Sequence, residues 1–450
     1  MSIINVISAI GNNSSVYPLL VRDCGIEVPT KVIQTYNQNK KDSPVVAKHA
    51  LRERSLDEYA TTAVWVGGVP LVEAIFNKAV KSKGINGKIS YKLLENDQKI
   101  EKAGSKIEQS LEKNIEKFKK LAPKEVAELE AVKANKKMFK NMTVAKYATA
   151  LAIPIALMGF IIPKANFALS AYLMDKDAQK GLLPEKYLKN KTNKKLDIVA
   201  SENDVAKKYN NLYNSSKDTK FTSLNSIREN NPSFKGFASM MTGLSQQQKM
   251  MMTDGGLAVG RIATSRKKNE AIENAFKMTG MMYLNFVAPK RIEKGLDFMT
   301  KKMFGINPEL DPKIMANKRF LALARADKLD LPKSQEEILI FLDSKPKSLF
   351  SKIASSSGEV KYLESGVRDP RAYVDVEKVF KLSQKMDKFA QDARKSGNVS
   401  KYANKALKAK SANIFANIAI SSVLLAVGLP QAQFALRRLL FKSNVEPGLS

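Results

Sequence analysis

The chain has 450 residues, with 75 lysines and arginines against 44 aspartates and glutamates, which gives a net charge of +31 and an isoelectric point near 9.8. Its 44% content of hydrophobic residues can fill a core, which excludes a wholly disordered chain. The mean hydropathy of −0.27 excludes a transporter built mostly of membrane helices. The length predicts two or three domains.

Cysteine and histidine are scarce, which limits the possible chemistry. Cys24 is the only cysteine, so neither an intramolecular disulfide nor a thiolate zinc site can form. His49 is the only histidine, which excludes a multi-histidine metal cluster. The apolar patch 3–10 has no basic residue before it, unlike a secretory signal peptide. We therefore expect an intracellular protein that is not secreted and that carries no metal and no cofactor.

Lysine supplies most of the positive charge, because 14 of the 75 basic residues are arginines. A solvated basic surface is one interpretation, since a Lys/Asn/Ile bias also follows from an AT-rich genome. The other is attraction to the phosphates of lipid head groups or nucleic acid. Lysine lacks the bidentate geometry with which arginine reads bases, so any binding of nucleic acid is predicted to be non-specific.

Helix signals come first in chain order. Ser55–Glu58 and Ser334–Glu337 have the form of capping boxes, which begin helices. Apolar residues recur at helical spacing over 93–121 and over 376–393, with lysine and glutamate between them. Period-2 strands bounded by hairpin turns are hard to find. We predict an all-α fold with basic amphipathic helices.

Two apolar segments match each other without a gap. Residues 150–169 and 417–436 share 8 identities in 20 positions, including a Pro-x-Ala-x-Phe-Ala-Leu tail that begins at Pro163 and Pro430. We interpret the match as duplication or a shared structural demand. Because proline removes an amide and disfavours the helical conformation before it, each unit is predicted to be helix, kink or turn, then helix.

Two weaker versions of this pattern place a proline at the end of an apolar run, at Pro70 and Pro289. Ordinary use of proline in the first turn of a helix explains both equally well.

The second unit is long enough to cross a bilayer. Residues 411–436 form 26 uncharged residues, and at about 1.5 Å per residue a helix of that length reaches roughly 39 Å. Asn413, Asn417 and Ser421 form one polar stripe along it, which is typical of a packed interface. The first unit has 17 residues, from Tyr147 to Pro163, before Lys164. A kinked span, shallow insertion from one basic face and burial in a soluble all-α core all remain open, and we favour shallow insertion.

The membrane hypothesis assigns two sets of contacts. The lipid-contact residues are Trp65, Pro70, Ile153, Pro154, Leu157, Phe160, Pro163, Phe167, Ile418, Leu424, Leu425, Pro430 and Phe434. The residues expected to bind anionic head groups are Lys137, Lys140, Lys146, Lys408, Lys410, Arg437 and Arg438.

Catalytic motifs do not stand out. We interpret His49 as a surface histidine paired with Glu53, and one arginine neighbour is weak grounds for calling Cys24 a nucleophile. Residues 255–261 have the glycine spacing of a phosphate loop but lack its lysine, its Ser or Thr and its preceding strand, so a turn leading into a helix explains them better. The methionines near residues 240–252 and 278–282 are predicted to fill a core, or to accept partner helices.

The chain is predicted to divide into five regions. These are an N-terminal polar segment (1–58), a helical region with the first apolar unit at 147–174 (59–184), a polar linker (185–235), a Met-rich helical region (236–345) and a C-terminal helical region with the second unit at 411–441 (346–450).

We expect a structural, scaffolding or interaction protein on the cytoplasmic face of a membrane, rather than an enzyme. Its expected partners are anionic lipid and other helical proteins. The alternative is a soluble, all-α basic protein that binds nucleic acid non-specifically.

Overall fold

The computed structural model describes residues 3–12, 15–40, 43–81, 84–103, 107–183, 244, 246–263 and 268–442. These residues form helices and no strand, which confirms the all-α prediction. An isolated antiparallel bridge between Tyr362 and Arg368 is the one β feature among them. The predicted linker 185–235 lies outside the described residues.

The described helices are, in chain order, α1 Ile3–Gly11, α2 Tyr17–Arg22, α3 Val28–Lys40, α4 Pro44–Lys81, α5 Tyr91–Ala103, α6 Leu111–Phe118, α7 Pro123–Ala134, α8 Lys136–Ala156, α9 Ile162–Gln179, α10 Gln246–Ala263, α11 Lys268–Met282, α12 Ala288–Phe304, α13 Pro312–Met315, α14 Lys318–Arg325, α15 Glu337–Ser344, α16 Leu349–Ser356, α17 Val376–Lys395, α18 Val399–Val423 and α19 Leu429–Phe441. Four π-helical turns join α2 to α3, α8 to α9, α11 to α12 and α18 to α19: π1 Asp23–Glu27, π2 Leu157–Ile161, π3 Tyr283–Val287 and π4 Leu424–Gly428.

Each π turn is followed two residues later by a proline, namely Pro29, Pro163, Pro289 or Pro430. In all four, the residue before the proline donates its N–H to the carbonyl five residues back. Proline has no N–H, and its ring clashes with the preceding turn of an α-helix; a wider turn relieves that clash. The interruptions expected at Pro163 and Pro430 are therefore π turns within continuous helices. Pro70 lies inside α4, where no π turn is found.

The two capping-box predictions fare differently. Ser55 lies in the middle of α4, where its hydroxyl donates to the carbonyl of Leu51 at 2.7 Å, so the prediction that a helix begins there is wrong. α4 begins 11 residues earlier, and Ser43 accepts the N–H of Val45 at 3.2 Å. At the second box, Ser334 accepts the N–H of Glu337 at 3.4 Å.

The amphipathic stretches are also found as helices. Residues 93–121 form two helices rather than one, because Ser110 accepts the N–H of Lys113 at 3.3 Å and so begins a new helix at α6. The predicted helix over 376–393 is observed as α17. It ends before Gly397, whose φ of 76° is a left-handed conformation that glycine adopts without strain.

Two compact helical cores have the usual distribution of side chains, with apolar residues inside. One spans residues 310–406 around Phe320, Phe350 and Phe389. The second spans residues 80–139. Residues 80–139 and 310–406, which contain these two cores, are here called the globular part.

The segment around Arg371 joins the two cores. Its guanidinium lies 2.9 Å from Glu128 and 2.9 Å from Asp369, and these hydrogen bonds raise the pKa of Arg371 above its ordinary value. Gln109 exchanges two hydrogen bonds with the backbone of Val374.

Helices α1–α4, α8–α12 and α18–α19 pack together and are here called the bundle, although the end of α4 and the first turns of α8 and α18 also pack into the two cores. Its apolar cluster includes Leu19, Trp65, Met158 and Phe286, so helices far apart in sequence meet there. α4 runs without interruption through the boundary predicted at 58/59. The core of residues 310–406 likewise includes both sides of the boundary predicted at 345/346.

Candidate membrane surface and buried polar cavity

Three helical segments of the bundle are long and apolar enough to cross a membrane: Pro44–Lys81, Lys136–Ile161 and Val399–Leu440. Buried residues make up only 17%, 22% and 44%, respectively, of the most apolar stretch of each. A helix that is apolar yet poorly buried presents its apolar side chains outward. These segments therefore expose the kind of surface that a bilayer covers.

The outward face is clearest along α18 and π4. Phe415 and Val423 are 55% and 59% exposed, and Ile420, Leu424 and Val427 are exposed with them. The opposite face packs against neighbouring helices and contains both apolar residues, such as Ile414 and Leu425, and the predicted polar stripe. The predicted polar stripe is confirmed as a packed interface: Asn413 donates to Asp297 at 2.8 Å, Asn417 to the carbonyl of Pro289 at 3.1 Å, and Ser421 to Asn417 at 3.2 Å.

The first unit has a similar distribution. Ile153, Phe160 and Ile161 are exposed, whereas Asn166 and Ser170 are buried. In a water-soluble helix the apolar residues face the core and the polar residues face the solvent. Parts of the bundle depart from this arrangement by exposing large apolar residues and burying polar ones, although its interior also contains the apolar cluster around Trp65 and Met158.

The predicted lipid-contact residues fall into three groups. Pro70, Ile153, Phe160 and Leu424 are exposed, and Leu157 and Pro430 are partly buried. Trp65, Pro154, Ile418 and Leu425 are buried against other helices and so face the interior of the bundle, which corrects their assignment to lipid. The side chains of Pro163, Phe167 and Phe434 lie outside the described part.

The predicted head-group residues also divide. Lys137, Lys408 and Arg438 are exposed, and Lys140 is partly buried. The assignment is corrected for Lys146, Lys410 and Arg437, which are buried and whose positive groups have partners inside the protein.

Each of these three buried cations has a defined partner. Lys410 Nζ lies 2.7 Å from Glu293 and 2.8 Å from Asp297, both on α12. The guanidinium of Arg437 pairs with Glu273 on α11. Lys146 donates to the carbonyl of Gly87 at 3.0 Å. Ion pairs between helices fix which helices pack together, and a buried pair is disrupted only at a large cost.

Arg22 compensates for a proline. It is 1% exposed, and its guanidinium donates to the carbonyls of Leu284 and Asn285 at 3.4 and 3.1 Å. These carbonyls lie five and four residues before Pro289, where an ordinary residue would donate its N–H. The arginine thus supplies the hydrogen bonds that the proline cannot make.

Glycines allow the helices of the bundle to approach closely. A Cβ on Gly68 would lie 2.9 Å from Pro154 Cγ, and one on Gly256 would overlap Ile155. Small residues at such crossings are typical of helices that pack within membranes. Residues 255–261 lie within α10, where Gly256 packs against Ile155, so the turn predicted there is wrong.

His49 is buried rather than exposed. Its Nε2 lies 2.8 Å from Asp177 on α9, and Arg52 donates to its Nδ1 at 3.2 Å. The predicted pairing with Glu53 is therefore wrong, because a carboxylate 128 residues away in sequence takes its place. Cys24 is partly buried, and burial with the neighbouring Asp23 raises the pKa of its thiol, which does not favour a nucleophile.

A cavity of about 100 Å³ lies between α3, α4, α10 and α11, next to π1 and π3. Carboxylates and cationic groups line it together with Trp65 and several methionines. Glu27 and Lys31 pair there at 2.5 Å, and Arg54 and Glu58 at 2.6 Å. No local sequence pattern indicated this cavity, because its walls come from separate segments. Among the described residues, no cluster of three or more metal-ligating side chains is found.

No protein family, curated protein or solved structure matches the chain.

Proposed function

We propose that the protein is a membrane-embedded scaffold, in which the bundle sits in the bilayer and holds the globular part at the cytoplasmic face. The observation that carries this proposal is the exposed apolar face of the bundle, whose polar stripe on α18 and ion pair at Lys410 lie inward. In lipid there is no gain from hiding apolar groups, whereas polar groups gain by pairing with one another.

Length supports insertion across the bilayer rather than shallow contact. At about 1.5 Å per residue, the 26 uncharged residues 411–436, which lie in α18, π4 and α19, reach roughly 39 Å, more than the roughly 30 Å of a hydrocarbon core. The basic residues Lys137, Lys140 and Lys408 lie near ends of the apolar segments. There they are placed to attract anionic head groups, each by about 1 kcal/mol close to the surface.

The alternative, a soluble protein that binds nucleic acid through its lysine surplus, leaves the exposed apolar face of the bundle without a role. A soluble protein with so large an apolar surface is prone to aggregate. Salt-dependent binding to nucleic acid by a chain recovered from the soluble fraction would favour this alternative.

Cell fractionation tests the proposal. We expect the full chain to sediment with membranes, to resist extraction by alkaline carbonate and to dissolve in detergent. Recovery in the soluble fraction without detergent, or release by carbonate or high salt alone, would contradict embedding.

A matched pair of substitutions makes the test specific. Val423 on α18 and Ile340 on α15 are 59% and 64% exposed, but Val423 belongs to the bundle and Ile340 to the globular part. We expect Val423→Lys to reduce the membrane-bound fraction, since a lysine at the middle of a membrane helix costs about 2.5–3.5 kcal/mol. Ile340→Lys should leave that fraction unchanged. Equal effects of both substitutions would refute the assignment of the bundle surface to lipid.

A further inference from the structure

The cavity of the bundle contains buried polar atoms that have no partner. Asp23 Oδ1 and Asn285 Oδ1 accept no hydrogen bond, although the two residues are 7% and 3% exposed. Trp65 Nε1 and Thr61 Oγ1 are likewise without a partner. All four side chains line the cavity. Buried polar groups in proteins are nearly always hydrogen-bonded, so this concentration in one place indicates that something polar belongs there.

The charges of the cavity favour a cation. Five carboxylates and three cationic side chains line it. With Lys277 included, the five carboxylates exceed the cations by two, and Lys31 and Arg54 are already paired with Glu27 and Glu58. Burial and the neighbouring Glu27 raise the pKa of Asp23, and a bound cation would stabilise its ionised form. An ionised carboxylate accepts hydrogen bonds and donates none, and an amide carbonyl oxygen does the same, so both side chains suit an ammonium donor.

The shape of the cavity and its remaining polar groups narrow the class of ligand. Several methionines and the indole of Trp65 give the wall an apolar portion suited to a short carbon chain, and an aromatic face attracts a cation. The free N–H of Trp65 and the hydroxyl of Thr61 can each donate to an oxygen of the ligand. A volume of about 100 Å³ accommodates a molecule of a few heavy atoms.

We propose that this cavity binds a small primary amine that carries an oxygen atom, its ammonium held by Asp23 and Asn285 and its oxygen by Trp65 and Thr61. The binding does not depend on whether the bundle spans a bilayer, because all these groups face the interior. If the membrane proposal failed, the protein would be purified from the soluble fraction, but the predicted binding to the cavity would be the same.

Ethanolamine is the probe, and the protein supplies its own reporter. Trp65 is the only tryptophan of the chain and lines the cavity, so its fluorescence responds to binding at this place. We expect saturable quenching or a spectral shift when ethanolamine is titrated into the purified full chain in an amine-free detergent or buffer. Ethylene glycol, acetate and tetramethylammonium, which lack a charge, the positive sign and the N–H donors respectively, should bind at least about tenfold more weakly.

Two variants and one control locate the site. Asp23→Asn keeps the shape but removes the charge, and should weaken ethanolamine binding by about tenfold or more. Asn285→Leu removes the second acceptor and should weaken ethanolamine binding several-fold. It provides an independent test in case Asp23→Asn folds poorly. Glu364→Gln removes an exposed carboxylate of the globular part and should change nothing.

The same ammonium occurs free and in the head group of phosphatidylethanolamine. Comparing nanodiscs of phosphatidylethanolamine with nanodiscs of phosphatidylcholine separates the two sources. A free amine as the ligand predicts equal ethanolamine affinity in both, whereas a head group predicts weaker apparent affinity in phosphatidylethanolamine. No response of Trp65 to ethanolamine in detergent, or equal responses to ethanolamine and ethylene glycol, would overturn the proposal.

Discussion

Replacing Arg22 with methionine should destabilise the bundle through the carbonyls before Pro289. The guanidinium donates to the carbonyls of Leu284 and Asn285 at 3.4 and 3.1 Å, and Arg22 is almost fully buried. Methionine fills a similar volume but donates no hydrogen bond. Hydrogen bonds to a charged group contribute about 1.5–3 kcal/mol each, and the longer of these two is weak, so we expect a loss of about 2–4 kcal/mol in the free energy of unfolding.

A second substitution tests the reason for that loss. Pro289→Ala restores a backbone N–H that can donate to the carbonyl of Asn285, four residues earlier. In the Arg22→Met background it should recover about 1–2 kcal/mol, whereas Pro430→Ala, which alters a π turn to whose carbonyls Arg22 donates no hydrogen bond, should recover none. Denaturant or thermal unfolding of the four-member cycle, in one detergent or buffer, measures the coupling. A coupling below about 0.5 kcal/mol between Arg22 and Pro289 would refute the reasoning.

Two further substitutions test the packing of the bundle. Lys410→Met leaves the two partly buried carboxylates of α12 without their cation and should cost about 3–5 kcal/mol. This loss should shrink as the pH falls, because burial raises the pKa of Asp297 and its protonation removes the unpaired charge; unfolding measured across a pH series checks it. Gly256→Val would overlap Ile155 across the α8–α10 crossing and should cost about 1–3 kcal/mol, whereas Gly260→Val on the same helix meets no atom within 4 Å; equal melting temperatures of the two glycine variants would contradict the packing.

The helical elements were predictable from sequence because the signals that produce them are local. Proline lacks an amide N–H, so an interruption was predicted at Pro163 and Pro430, although its π form could not be. Pro70 and Pro154, which lie inside helices without a π turn, show that the proline alone does not decide the outcome. α17 followed its amphipathic pattern. The prediction that a helix begins at Ser55 was wrong because a serine inside a helix can donate to the carbonyl four residues back instead of capping a new helix.

The site was harder to predict because its contacts join distant segments. From sequence alone, Lys410 and His49 both look like surface residues. In the fold, α12 places two carboxylates beside Lys410, and α9 places Asp177 beside His49. Asp23 and Asn285 lie 262 positions apart and share no motif. The apolar composition of the two units is a local property, so it could be predicted from the sequence. Which of their residues face outward depends on the neighbouring helices, so it could not be predicted from the sequence.

Spin-label accessibility in reconstituted vesicles tests the central claim most directly. With Cys24 replaced by serine, a single cysteine introduced at Phe160, Val423 or Ile340 carries the label. We expect labels at Phe160 and Val423 to collide frequently with oxygen, which concentrates in lipid, and rarely with a water-soluble nickel chelate, and the label at Ile340 to show the opposite. Strong collision with the nickel chelate at both Phe160 and Val423 would contradict a lipid-facing bundle.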